Sequence, residues 1–201
     1  MDYGPTYIDN NNKSRTNQIH KCFILSLFLN KSDIHMDLYI LRHGEAGTRL
    51  SSNINDGLRS LTDAGRKDIM GVAKGLQKSR VKIDIIASSP LKRAHETATI
   101  VAAVLKMSDK LLIWDELAPE GKKNQVYEKI AQFRQEYGIM VVGHEPYLSE
   151  MINEIISKGK PNLSNIVLKK GGLAKVRIHS VTPVPRGELR WLLTPRVSKS
   201  I

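Results

Sequence analysis

Four short apolar runs constrain this chain more than any other feature. They are Leu38–Leu41, Val81–Ala87, Leu111–Trp114 and Ile139–Val142. Each is too short for a helix and reads as a strand, and the first, second and fourth have the apolar content of strands buried in a sheet. Between them, apolar residues recur at helical spacing: Ile69, Met70, Val72, Ala73 and Leu76, then Ala94, Ala98, Val101, Ala102 and Leu105, then Val126, Ile130 and Phe133. Leu148, Met151, Ile152, Ile155 and Ile156 repeat that spacing after the fourth run. Strand and helix therefore alternate four times. This predicts a three-layer α/β/α domain with a largely parallel central sheet. Three further strand signals follow, at Val167–Leu168, Leu173–Ile178 and Leu189–Leu193.

Local signals set the expected boundaries. Thr62 caps a helix that runs to about Lys78, with Asp63 favourable in its first turn. Pro90, with Ser89 as cap, opens a helix to about Lys106. A helix over residues 124–137 is stopped by Gly138, and one opened by Pro146 is closed by Gly159. Residues 45–60 are polar and contain Gly47 and Gly57, which predicts a loop.

The first 35 residues differ from the rest. Asp9–Ser14 is polar and aperiodic, which reads as disorder. Cys22–Leu29 is apolar but too short to span a bilayer as a helix. It matches a signal-peptide core in length, yet polar residues precede it and no small-x-small site follows. We read residues 1–35 as an upstream extension and residues 36–201 as the working domain, with a membrane-associating segment as the other reading. No membrane partner is expected. The single Cys22 excludes an internal disulfide framework and a cysteine metal cluster, and fits a cytoplasmic setting.

The net charge is +11, and from Lys158 onward ten Lys or Arg face one acidic residue, Glu188. A solvated basic face and attraction of an anionic substrate both account for this. No zinc-finger, helix-turn-helix or aromatic RNA-binding pattern supports a nucleic-acid partner.

Three strands run into chemically loaded turns: Arg42-His43-Gly44, Ser88-Ser89-Pro90 leading to Arg93, and Gly143-His144-Glu145. Parallel strands would bring all three to one carboxyl edge. Arg42 and Arg93 supply donor forks that fit phosphate or carboxylate. Arg93 falls in the first turn of a helix, where free amides also favour an anion. His43 offers a ring nitrogen as nucleophile or base, and Gly44 allows a sharp turn and close approach to a ligand. No acidic cluster and no His-x-x-x-His pair makes these residues a metal site, so neither metal nor cofactor is expected. Two Arg, two His and helix amino termini suit a dianionic tetrahedral group. A neutral imidazole can attack its phosphorus in line, and Arg forks can stabilise the spread charge without a metal. Other residues have plainer readings. Ser89 is a cap, His95 lies on the surface, Glu45 is a strand-end carboxylate that could tune His43, and Lys169-Lys170 is a solvated turn.

These motifs resemble the histidine phosphatase superfamily, also called phosphoglycerate-mutase-like. Leu41-Arg42-His43-Gly44-Glu45-Ala46, Ala87–Ala94 with Thr97-Ala98, and Val142–Pro146 carry the likeness. Leu61-Thr62 with Gly65, Glu116–Pro119, Lys170–Ala174 and Leu189–Pro195 are most similar to SixA-type phosphohistidine phosphatases. The resemblance covers about Met36 to Pro195. It implies that His43 is a nucleophile and that Arg42, Arg93 and His144 form the phosphate pocket. Relatives also place an acidic residue after the third strand. Glu116 and Glu120 both lie there, and Glu120 is preferred, although a phosphoramidate could dispense with the acid. Arg93 and His144 are 51 positions apart (144 − 93), which leaves room for a minimal lid and an open site. The expected substrate is phosphohistidine in a protein. The alternatives are a small-molecule phosphomonoesterase and, from another class, a phosphate-binding module without turnover.

Overall fold

In the computed structural model the described residues are 35–48, 53–133, 137–157, 166–181, 184–198 and 200. They belong to the unit that begins at His35. The extension expected before Met36 and the helix stop at Gly159 lie outside them.

Six strands form one sheet: β1 (Met36–Arg42), β2 (Ile85–Ser88), β3 (Leu111–Ile113), β4 (Gly138–Gly143), β5 (Leu173–Ser180) and β6 (Arg186–Leu193). Their order is β3-β2-β4-β1-β5-β6. The first four strands pair parallel, whereas β5 runs antiparallel to β1 and β6 antiparallel to β5. Helices α1 (Asp63–Lys78), α2 (Lys92–Leu105), α3 (Lys123–Ala131), α4 (Tyr147–Ile156) and the single turn α5 (Pro195–Ser198) complete the described helices.

Strand alternation divides the core. Leu38, Ile40, Ile139 and Val141 pack with Val126, Ile130, Leu148 and Ile152 of α3 and α4. Tyr39, Leu41, Met140 and Val142 face Ile69, Val72, Ala98 and Val101 of α1 and α2. Each buried aliphatic side chain contributes about 1.5–3 kcal/mol. The central strands are therefore held from both sides, and the turns that follow them inherit a rigid base. The expected three-layer architecture is what forms.

Several boundaries differ from expectation for local reasons. The strand expected from Val81 starts at Ile85. The Asp84 carboxylate accepts the Gly138 amide at 2.8 Å, and the Asp84 amide donates to the Gly138 carbonyl, so residues 81–84 cross the end of β4 rather than pair along it. Helix α2 begins at Lys92, and Ser89 Oγ accepts the Leu91 amide at 3.3 Å one residue before it. Helix α3 ends at Ala131, because the amides of Gln132 and Phe133 bond to carbonyls three residues back and tighten the turn. Val167–Leu168 is not a strand. The Leu168 amide donates to Ser149 Oγ and its carbonyl accepts from Arg42, which leaves neither group for a ladder. The polar loop 45–60 contains a 3₁₀ turn at Asn53–Leu58. Among the described residues no helix is long and apolar enough to cross a membrane.

Candidate active site

The register sets the site. Arg42 of β1 stands opposite Gly143 of β4, and Ser88 of β2 opposite Val142. The ladder continues one residue further, with His43 N donating to the Gly143 carbonyl and Ser89 N to the Val142 carbonyl. The carboxyl ends of β1, β4 and β2 thus lie side by side, and each delivers its turn to one place. The rings of His43 and His144 have centroids 5.1 Å apart. Arg93, in the first turn of α2, donates from Nε to His43 Nε2 at 3.3 Å. His144 Nε2 is 2.8 Å from Ser89 Oγ.

Hydrogen bonds fix which nitrogen of His43 is reactive. A carbonyl only accepts, so the 2.7 Å bond between His43 Nδ1 and the Gly44 carbonyl places the proton on Nδ1. Nε2 keeps its lone pair and faces Arg93. His43 is 7% exposed, Arg93 4% and His144 2%, so this polar cluster is almost fully desolvated. Burial, then the nearby Arg93, Arg42 and Arg59 charges, lower the His43 pKa to about 4, although the Gly44 hydrogen bond opposes the shift. Burial, then Arg93, then His43 lower that of His144 to about 3. Both imidazoles are neutral at neutral pH.

Arg42 Nε, His144 Nδ1 and Glu145 Oε1 are buried with no hydrogen-bond partner among the described residues. An unsatisfied buried donor costs about 1–3 kcal/mol, so such atoms are rare outside binding sites. Arg42 Nε is a donor suited to an anion, and His144 Nδ1 is one in the tautomer whose Nε2 accepts the Ser89 hydroxyl. Among the described residues no three His, Cys, Asp or Glu gather as metal ligands.

Gly44 serves packing. A Cβ there would lie 2.8 Å from Ile69 Cγ1 and 3.2 Å from the Gly65 carbonyl, so its bareness admits α1 rather than a ligand. Its amide donates to Thr97 Oγ1 at 3.1 Å, and that hydroxyl donates to the Arg93 carbonyl at 2.7 Å. Thr97 therefore ties the His43 turn to the Arg93 turn. Its position one helical turn after Arg93 is a signal in the sequence.

Asp56 and Arg59 are the functional candidates that sequence reasoning missed. The Asp56 carboxylate pairs with Arg93 Nη2 at 3.1 Å and with Arg59 Nη2 at 2.8 Å. Arg93 Nη1 also donates to the Asp56 carbonyl, and Arg59 Nη1 to that of Gly47. The 3₁₀ turn thus clamps Arg93 from outside. The available signal was an Asp and an Arg three apart in the loop that follows the His43 motif.

Of the two acid candidates, neither touches the imidazoles. Glu116 pairs with Lys129 at 2.6 Å, which lowers its pKa. Glu120 is exposed and, among the described residues, makes no hydrogen bond or ion pair. Glu45 is a half-exposed partner of Lys170 at 3.5 Å. His95 is exposed, as expected, whereas Ser89 does not cap α2: Leu91 holds the cap position without a side-chain bond, and the Ser89 hydroxyl accepts the Leu91 amide and meets His144 Nε2.

An imidazole lone pair framed by two arginines at the strand ends of this sheet defines a class. The family model of the histidine phosphatase superfamily (branch 1) matches residues 38–118. The chain belongs to that superfamily and is a phosphatase. It is 33% identical over 144 residues to an uncharacterized protein of Picosynechococcus sp. strain PCC 7002, covering 71% of this chain and 85% of the relative. It is 27% identical over 122 residues to the phosphohistidine phosphatase SixA of Escherichia coli strain K12, covering 60% of this chain and 74% of that one. The solved structure of the protein histidine phosphatase SixA complexed with tungstate superposes with a TM-score of 0.69 at 24% identity, covering 81% of this chain and 99% of that one.

Proposed function

We propose that this phosphatase works without a metal, through a phosphohistidine formed on His43, and that its substrate is phosphohistidine on another protein. The observation that carries the first part is the hydrogen bond from His43 Nδ1 to the Gly44 carbonyl. It leaves Nε2 as a fixed, unprotonated nucleophile beside three cationic or polar donors.

The Nε2 lone pair forms a P–N bond, and the bond from phosphorus to the leaving oxygen or nitrogen breaks with its electron pair. That atom takes a proton as it departs. A water oxygen then attacks phosphorus, the P–N bond returns its pair to His43, and inorganic phosphate leaves. Arg42, Arg93 and His144 Nδ1 would hold the equatorial oxygens, whose charge spreads in a loose transition state. Arg93 Nε must turn from Nε2 to a phosphoryl oxygen as phosphorus arrives. Glu120 is the proposed proton donor, because Glu116 is occupied by Lys129. A departing imidazole nitrogen is readily protonated and needs that donor less than an alkoxide does.

Support for a protein substrate comes from the short stretch between α2 and His144, where the described residues form two 3₁₀ turns, β3, α3 and β4 and leave little chain for a lid. The likeness to SixA, named a phosphohistidine phosphatase, points the same way. We assign the activity to residues 36–201, acting as a cytoplasmic domain.

The test offers a phosphohistidine-labelled protein and p-nitrophenyl phosphate in parallel, with chelator present. Release from the protein that outpaces release from the ester supports the reading. Faster turnover of small esters would favour a phosphomonoesterase. Phosphate binding without release from either would leave a binding module.

A further inference from the structure

A run of hydrogen bonds that ends on Arg42 begins at a carboxylate with no part in the steps above. Glu145 follows His144, and its Oε2 accepts from Ser149 Oγ at 2.5 Å. While its hydrogen is directed at the carboxylate, the Ser149 hydroxyl keeps its lone pairs free, and one accepts the Leu168 amide at 3.3 Å. The peptide of Leu168 is followed by its carbonyl, which accepts Arg42 Nη1 at 2.7 Å. Every donor points towards the carboxylate, and because the amide and carbonyl of Leu168 belong to successive peptide groups, the run acts by holding the Leu168 backbone in place.

Three features separate this arrangement from ordinary core satisfaction. Ser149 is 6% exposed in α4, where Ala would be favoured by helix propensity, so its hydroxyl is there to be used. The segment around Leu168 pairs with no strand, and its two backbone groups are both committed to side chains of the site region. Finally, Arg42 Nε is buried and unpaired. Holding one Nη of a long, flexible side chain on a fixed carbonyl leaves that Nε and the other Nη aimed elsewhere.

We propose that Ser149, backed by Glu145, is a positioning residue for Arg42. It fixes the Leu168 carbonyl, which in turn fixes the guanidinium fork that meets the phosphoryl group. The functional consequence rests on Arg42 binding that group, as in the mechanism above; the structural part does not.

The test compares wild type with Ser149→Ala by side-chain NMR of Arg42 and by titration with inorganic phosphate. In the wild type the held Nη1 gives a signal distinct from Nη2. In Ser149→Ala the two average, and the phosphate dissociation constant rises about tenfold, the loss expected when one charged donor is misaimed. The effect is absent when Arg42→Ala is already present, because the hydroxyl acts through Arg42. A folded Ser149→Ala with unchanged Arg42 signals overturns the proposal, as does an additive loss in the double variant. Should Ser149→Ala fail to fold, Glu145→Gln keeps the shape and removes the charge. It is expected to weaken phosphate binding roughly threefold, because a neutral amide holds the Ser149 hydroxyl less firmly than a carboxylate, and unchanged binding overturns the proposal. A wild type that turns over no phosphate compound would sink the proposed function, while the Arg42 signals would still decide the positioning role.

Discussion

Arg93 Nε donates to His43 Nε2 across 3.3 Å, although the two residues stand 50 positions apart. The bond joins a strand end to a helix start, and it reads out the protonation state of the proposed nucleophile. An arginine keeps its protons under all ordinary conditions, so the imidazole nitrogen facing it must be the bare one. Removing the His43 ring should therefore remove turnover and little else. For His43→Ala we expect kcat/KM to fall by about 10³-fold or more, with the folded circular dichroism spectrum kept. Wild type quenched during turnover should carry phosphate on Nε2 of His43. Phosphate release that survives the substitution, or a label on another residue, contradicts the mechanism.

Asp56 meets the same arginine from the other side. Its carboxylate joins Arg93 and Arg59, and its carbonyl takes Arg93 Nη1. One reading is competition, in which the carboxylate occupies donors that phosphate needs. The other is support, in which it holds the fork in place. The carbonyl contact is indifferent to side-chain charge and favours support. Asp56→Ala should then lower kcat/KM about tenfold, the scale of one misplaced charged donor. A rise in activity, or a tighter phosphate dissociation constant, would show that Asp56 is a plug.

The acid can be identified by leaving group. General acid catalysis contributes about 10²–10⁴-fold where the leaving group is poor, and little where it is good. Glu120→Gln should slow an alkyl phosphate by about 10²-fold or more, yet leave p-nitrophenyl phosphate and phosphohistidine near the wild-type rate. Glu116→Gln should leave all three rates alone. It breaks a partly exposed pair with Lys129, at a cost of about 0–1 kcal/mol in stability. Equal sensitivity of every substrate to Glu120→Gln would remove it from the role of proton donor.

The layers were legible because burial on both faces leaves a strong mark. Leu38–Leu41 and Ile139–Val142 had no polar alternation, and both are central strands. The meeting of Arg42, His43, Arg93 and His144 followed from parallel pairing alone, since three neighbouring carboxyl ends must share an edge. Asp56 was not legible, because a 3₁₀ turn of six residues in a polar loop carries no hydrophobic period. The segment at Val167–Leu168 misled for the opposite reason. Its apolar residues suggest a strand, but its backbone is claimed by Arg42 and Ser149, and side chains that distant in sequence leave no local trace. Gly44 was legible as necessary but not in purpose, because the neighbour that needs its bareness is Ile69 on α1.

Burial of two neutral imidazoles makes the fold sensitive to mild acid. His43 has its pKa lowered from 6.5 to about 4, and His144 from 6.5 to about 3. Below pH 6.5 the unfolded chain takes up protons that the folded site refuses, so the unfolded state binds more protons and stability rises with pH. The contribution is fully present above 6.5 and is lost as pH falls from there towards about 4 for His43 and about 3 for His144. The rings are neighbours, so they titrate as a coupled pair. We expect the melting temperature to fall between pH 7 and pH 5, and to fall less in His43→Ala, which lacks one of the two groups. The ring protons of His43 should titrate near 4 by NMR. An ordinary imidazole titration would mean that solvent reaches the ring, and it would remove the reason for a neutral nucleophile at low pH. A melting temperature that is flat from pH 7 to pH 5 would contradict the burial of both histidines.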